Sequence, residues 1–289
     1  MYEVNQLTQT RIVLITLLSL LAFAANSVIT RFALEETSID EASFIMVRVI
    51  SGALFLWLFL FFQKNKSSRP AGTWLAALSL FIYAVSFTYG YGMIAAGTGA
   101  LLLFGSVQVT MTIIGYKEGE RLNFWQISGF ALAILGLIIL MLPGLAAPSF
   151  IGASLMCISG IAWGVYTLQG RGSSHPTAAT AGNFIKASPM ALILWFTVTL
   201  LNSDTINLIG DGLFYALLSG VVTSAIGYII WYSVLPELKA TQAAIVQLIV
   251  PILVTIVGIL LLNEPITLRI ILASLAILTG TALVLKFKK

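Results

Sequence analysis

Seven residues are polar, cationic or amphipathic inside otherwise apolar runs: Asn26, Arg48, Gln108, Trp163, Tyr166, Lys186 and Gln247. Their chemistry is recognition by hydrogen bond and charge. A polar group inside a membrane is costly and turns toward a cavity or toward another polar group. Two readings therefore stand side by side for each. The residue lines a substrate site, or it ties one helix to another at about 1 kcal/mol or less per pair. Phe104 and Gln108 are one helical turn apart, as are Gln247 and Pro251, so each pair shares a helix face. Pro251 has no backbone N–H and is expected to free a carbonyl one turn earlier, near Gln247, within reach of a ligand. Trp163 is too deep in its run for an interfacial aromatic, and Tyr166 accompanies it. Arg48 and Lys186 lie about 8 and 10 Å inside the edges of their runs at about 1.5 Å per residue. Such side chains either snorkel to the edge or offer a cation to a carboxylate substrate.

Catalytic constellations are missing from the sequence. Cys157 is the single cysteine and lies in an apolar run, so neither a disulfide framework nor a cysteine metal site is expected. The single histidine, His175, falls beside Pro176 in a loop and is expected to be solvated. All eleven acidic residues fall in termini, loops or run edges. A proton pump usually needs an intramembrane carboxylate or histidine relay, so coupling through a buried proton site is not expected. Glu120 and Glu264 are expected to pair with nearby cations or loop amides at helix ends. The sequence thus points to no enzyme, no cofactor and no metal.

These side chains must be positioned by membrane-spanning helices. Hydrophobic residues make up 59% of the 289-residue chain and charged residues 9%, with mean hydropathy +1.01. Soluble domains carry about 25% charged residues. A helix needs about 20 apolar residues to cross hydrocarbon. Continuous apolar runs without strand alternation predict spans at about 12–33, 43–62, 72–91, 98–116, 124–143, 150–169, 179–200, 211–232, 241–262 and 268–286. The connection between the third and fourth spans is weakly marked, with four glycines (Gly90, Gly92, Gly97, Gly99) around it. With the N-terminus inside, eleven basic residues fall on the inner side, among them Lys64, Lys66, Arg69, Lys117, Arg121 and Arg171, while Arg31 and Arg269 fall outside. This asymmetry places both termini in the cytoplasm. The charge of +4 therefore reports topology, and no nucleic-acid partner is expected. Tyr89 and Tyr91 at the end of the third span, and Tyr228, Trp231 and Tyr232 at the end of the eighth, read as interfacial belt or packing residues. Gly160 and Gly164, four apart, predict close helix contact.

The chain also repeats itself. Residues 120–136 read ERLNFWQISGFALAILG and residues 264–280 read EPITLRIILASLAILTG. A supersecondary unit used twice is the signature of repeat architecture. Five spans per unit is odd, so the second unit crosses in the opposite sense. The division expected is 1–146 and 147–289, an inverted repeat of the kind that builds midplane binding sites in transporters.

These features resemble the EamA-type branch of the drug/metabolite transporter superfamily along essentially the whole chain. Trp163-Gly164 matches the Trp-Gly of that family's first repeat helix, and Pro251 the proline of its fourth. Gly119-Glu120 and Asn263-Glu264 match that helix's end, while Gly136 and Gly280 match the final small-residue pattern. In the first half Ala24-Ala25 stands in place of Trp-Gly and Gln108 in place of the proline. The resemblance implies an all-α membrane protein of ten transmembrane helices in two inverted repeats. It implies a multi-pass exporter of the bacterial inner membrane for small metabolites such as amino acids, working by alternating access. The partners expected are a small-molecule substrate and the lipid bilayer. A membrane receptor or assembly factor without transport is the other class the sequence leaves open.

Overall fold

The computed structural model describes residues 9–63, 70–119, 121, 123–142, 148–171, 173, 175–201, 210–265 and 267–286. Lys64, Lys66, Arg69, Glu120 and the 146/147 boundary lie outside the described residues. The described residues are helical, with no strand among them. The helices are α1 (Gln9–Glu36), α2 (Glu41–Phe62), α3 (Trp74–Met93), α4 (Ala96–Lys117), α5 (Phe124–Met141), α6 (Phe150–Arg171) and α7 (Pro176–Leu201). Then comes α8 (Asp211–Glu237), which widens to a π-helix over Ser219–Ile226. The ninth expected span is broken into α9 (Ala240–Val246) and α10 (Ile249–Leu262), and α11 (Leu268–Lys286) closes the chain. Among the described residues eight stretches are long and apolar enough to cross a membrane, and two shorter apolar helices are Phe124–Gly136 and Leu268–Gly280. Large apolar side chains such as Leu14, Phe61, Trp74, Phe196 and Leu260 point outward from the bundle, as lipid-facing surface requires. The protein is a multi-pass membrane protein.

Local signals set the helix starts. Asp40 caps α2 by accepting from the Ser43 amide at 2.8 Å. Thr73 caps α3 by accepting from Ala76 at 3.1 Å. Asn123 and Gln126 form a reciprocal capping box on α5. By contrast α4 begins after Ala95, which has no side chain to cap it.

The cap of α4 comes from the other half of the chain. The Glu264 carboxylate accepts from the amides of Ala96 and Gly97 and lies 3.8 Å from Arg31 Nε. Arg31 in turn holds Glu35 at 3.0 Å and donates to the Tyr91 carbonyl at 2.9 Å. A carboxylate at a helix N-terminus satisfies orphan amides and meets the positive end of the dipole. Asn263 aims it by adopting the left-handed conformation, φ 50°. Gly119 occupies the matching place in the first half, φ 100°. At Glu264 the motif is thus a helix stop that turns its carboxylate onto a neighbour. Glu264→Ala should lower stability by about 1–2 kcal/mol through loss of the cap. Glu35→Ala, at a more exposed partner, should cost under about 1 kcal/mol. Thermal melting of the two variants in one detergent checks the difference, and equal melting temperatures would remove the capping role.

The two halves are interlocked. α1 packs against α8 and α10 of the second half, while α6 packs against α3 and α4 of the first. The final helices of each half, α5 and α11, meet face to face. A Cβ on Gly136 would meet Ile277 at 2.7 Å and the Ala273 carbonyl at 3.0 Å. One on Gly280 would meet the Gly129 carbonyl at 2.3 Å and the Ala133 amide at 2.8 Å. Gly129, Ala133 and Gly136 precede Ala273, Ile277 and Gly280 by the same sequence offset. The contact is self-complementary, as a two-fold relation demands. Gly160 is equally tight: a Cβ there would lie 2.2 Å from the Leu103 carbonyl, so the close contact expected of Gly160 and Gly164 is made with α4.

Of the belt and packing readings of the span-end aromatics, packing holds for four. Tyr91, Tyr228, Trp231 and Tyr232 are all buried. Their axial position was legible in the sequence, but their helix faces turn inward to the bundle.

Candidate functional site

The polar residues converge where α1, α2, α3, α6, α8 and the α9–α10 break meet. Asn26 of α1 is the hub on one side. Its Oδ1 accepts from Ser219 at 2.7 Å and from Thr223 at 2.9 Å, both on the π-helical turn of α8. Its Nδ2 donates to the Tyr83 hydroxyl at 3.3 Å. That hydroxyl also accepts from Arg48 Nη2 at 3.2 Å, and Arg48 Nε donates to Ser224 at 3.1 Å. The π turn is packed tightly against α2. Gly220 presses on α2 so closely that a Cβ would lie 2.4 Å from the Arg48 carbonyl. The widened turn presents Ser219, Thr223 and Ser224 together on the inner face. Such π segments occur often at functional sites.

Trp163 of α6 is the hub on the other side. Its indole Nε1 donates to Gln247 Oε1 at 2.7 Å. Its ring lies 5.0 Å from Tyr83, 5.3 Å from Phe23, 4.9 Å from Tyr228 and 5.7 Å from Tyr166, centroid to centroid. Gln247 is fully buried, and its Nε2 donates to the Ala243 carbonyl at 2.9 Å. It occupies the break between α9 and α10, one turn before Pro251. The expectation of a free carbonyl there is corrected: the Gln247 carbonyl accepts from the Val250 amide at 3.0 Å. The proline removes the usual fourth-residue donor, and the chain tightens to a third-residue bond in compensation.

The structure brings Asn26, Arg48, Trp163, Tyr166 and Gln247 into one buried cluster. Tyr166 joins through rings, 6.2 Å from Tyr228 and 5.9 Å from Tyr232. Gln108 is buried on α4 and donates to Thr112 at 3.3 Å, with its Oε1 unpartnered. Met111 on the same helix touches Gln247 at 3.9 Å. Lys186 lies apart from the cluster. Its Nζ donates to the Gly72 carbonyl at 2.6 Å in the connection before α3, where Asn183 also accepts from the Thr73 amide at 3.0 Å.

Beside Trp163 is a cavity of about 10 Å³ lined by Phe23, Ser27, Tyr83, Phe87, Leu103, Phe104 and Trp163. That volume holds about one water molecule, so any larger molecule enters only if the helices part. Sequence reasoning did not single out Tyr83, Ser219, Thr223 or Ser224. Their signal was a tyrosine in the middle of the third span and a cluster of small hydroxyl residues around Gly220 in the eighth. Small residues are common at any membrane helix contact, so the pattern alone does not separate packing from a site.

Relatives match along much of the chain. An uncharacterized protein of Pseudomonas aeruginosa is 49% identical over 275 residues, covering 95% of this chain and 94% of its own. An uncharacterized transporter of Archaeoglobus fulgidus is 26% identical over 271 residues, covering 92% and 94%. A probable amino-acid metabolite efflux pump of Escherichia coli is 25% identical over 209 residues, covering 66% and 67%. A solved crystal structure shares the fold with a TM-score of 0.69 at 13% identity, covering 96% of both chains. The EamA-like transporter family matches residues 10–142 and again 150–286. With two matches that together take in nearly the whole interlocked bundle, the chain belongs to the EamA-like transporter family.

Proposed function

We propose that this protein exports small metabolites, amino acids among them, across the bacterial inner membrane by alternating access of one repeat against the other. The observation that carries the reading is the central cluster itself. Both repeats contribute to it: Asn26, Arg48 and Tyr83 from the first, and Trp163, Ser219, Thr223, Ser224 and Gln247 from the second. Polar groups gathered at the junction of two inverted repeats suit a site reached alternately from either side. Ten transmembrane helices and two cytoplasmic termini complete the proposal. Arg31, assigned outside by the positive-inside count, meets Tyr91 at one end of the bundle, where Glu264 meets Ala96. At the other end Lys186 and Asn183 meet Gly72 and Thr73.

Counterflow in proteoliposomes tests the function. Protein-dependent uptake of at least one labelled amino acid or small organic acid, driven by the same unlabelled solute inside, is the expected result. Uptake should persist with a protonophore present, because no carboxylate lies in mid-span. Reporter fusions should place both termini and the 64–69 loop in the cytoplasm and the Glu35–Glu41 loop outside. A panel with no counterflow at all would overturn the transport reading, and a cytoplasmic reporter at Glu35–Glu41 would overturn the orientation.

A further inference from the structure

The charge at the centre is uncompensated. Arg48 is only 2% exposed in a helix apolar enough to span the membrane. Among the described residues Arg48 makes no ion pair, and its hydrogen-bond partners, Ser224 and Tyr83, are neutral. The guanidinium carries five N–H donors. Nε and Nη2 are taken by Ser224 and Tyr83, while Nη1 is buried with no acceptor. Tyr228, four residues beyond Ser224 on α8, brings its hydroxyl against the guanidinium without hydrogen-bonding geometry to it or to any other group. A buried cation that lacks a counter-charge is destabilising, and donors without acceptors add to the cost. What this corner lacks is a compact anion rich in acceptors.

We propose that the ligand of this site is an organic carboxylate with an apolar body, whose carboxylate is received by Arg48 Nη1 and the Tyr228 hydroxyl. The planar fork of a guanidinium matches a carboxylate in shape as well as charge. The surroundings describe the remainder of the ligand. The Arg48 guanidinium carbon lies 5.3 Å from the Tyr83 ring centre and 5.0 Å from that of Phe87. Both rings also wall the central cavity, which Phe23, Phe104 and Trp163 close on its other sides. The body that fills this space when the helices part is therefore apolar or aromatic. No acidic side chain belongs to the cluster, so an ammonium group on the ligand has no carboxylate to meet and is dispensable. The proposal rests on the central cluster being the transporter's substrate site.

The test uses the full-length protein in lipid nanodiscs, with 3-phenylpropionate, 3-phenylpropionamide and phenylalanine as probes. The first two share size and shape and differ in charge and in one acceptor oxygen exchanged for an NH2 donor, and the first and third differ by the ammonium group. Equilibrium binding should favour the carboxylate over its amide by about tenfold or more, since a hydrogen bond to a charged group is worth about 1.5–3 kcal/mol. Phenylalanine should bind no better than 3-phenylpropionate. Arg48→Gln should bring the carboxylate-to-amide ratio close to one, and Arg48→Lys should keep a preference for the carboxylate. Without ligand, Arg48→Gln should melt no lower than the parent, because it removes a buried charge rather than a structural ion pair. Equal binding of acid and amide, a preference that survives Arg48→Gln, binding of none of the probes, or an Arg48→Gln protein that melts lower or fails to fold would each overturn the proposal. The transport reading fails separately, if counterflow is absent across the metabolite panel while the probes still bind.

Discussion

Replacing Trp163 with alanine should lower the stability of the purified protein by about 3–5 kcal/mol, the range for truncating a buried tryptophan. Trp163 is 2% exposed, and the four rings around it belong to α1, α3, α6 and α8. Its removal opens a cavity where four helices of both repeats converge, and no single helix can shift to fill it. It also leaves Gln247 Oε1 without its donor. A tryptophan facing a water-filled chamber would cost much less, because water would replace it. Trp163→Phe separates the two contributions. The ring remains, and the loss should fall to about 1–3 kcal/mol for the unpaired amide oxygen. Thermal melting of both variants in one detergent, beside initial counterflow rates, supplies the measurement. A Trp163→Ala protein within about 1 kcal/mol of the parent would show that the indole is not part of the packed centre.

Gly280→Leu should be the second large effect. The new Cβ would lie 2.3 Å from the Gly129 carbonyl and 2.8 Å from the Ala133 amide. Both are backbone atoms of α5, which cannot rotate aside as a side chain would. The helices must separate, at about 1–3 kcal/mol or more for overpacking. Gly136→Leu should behave alike, since it meets Ile277 and Ala273 across the same contact. Once one leucine has spread α5 from α11, a second adds less, so the double variant should cost less than the two single losses combined. Single variants that melt with the parent would show that α5 and α11 are not held together at these glycines. A strictly additive double variant would separate the two positions.

Much of the architecture was legible in the sequence because membrane physics is coarse. Apolar runs of spanning length, the 120–136 and 264–280 repeat, and the Glu at each repeat's helix end follow from composition and spacing. Lipid offers no backbone partners, so each such run has little choice but helix. The polar residues buried in the runs were visible for the same reason, and five of the seven meet in one cluster. Tertiary structure decided what each one touches. Trp163 and Gln247 are 84 positions apart and Asn26 and Thr223 are 197 apart, and no local rule pairs them. The π turn at Ser219–Ile226 is packed against α2 at Gly220, and the inward aim of Tyr91, Tyr228 and Trp231 follows from which helix faces find partners. Lys186 and Arg48 read alike as cations inside a span. Packing sent one to carbonyls of the connection before α3 and left the other among aromatic rings with a donor unfilled, because a helix fixes the height of a side chain while its neighbours fix the company it keeps.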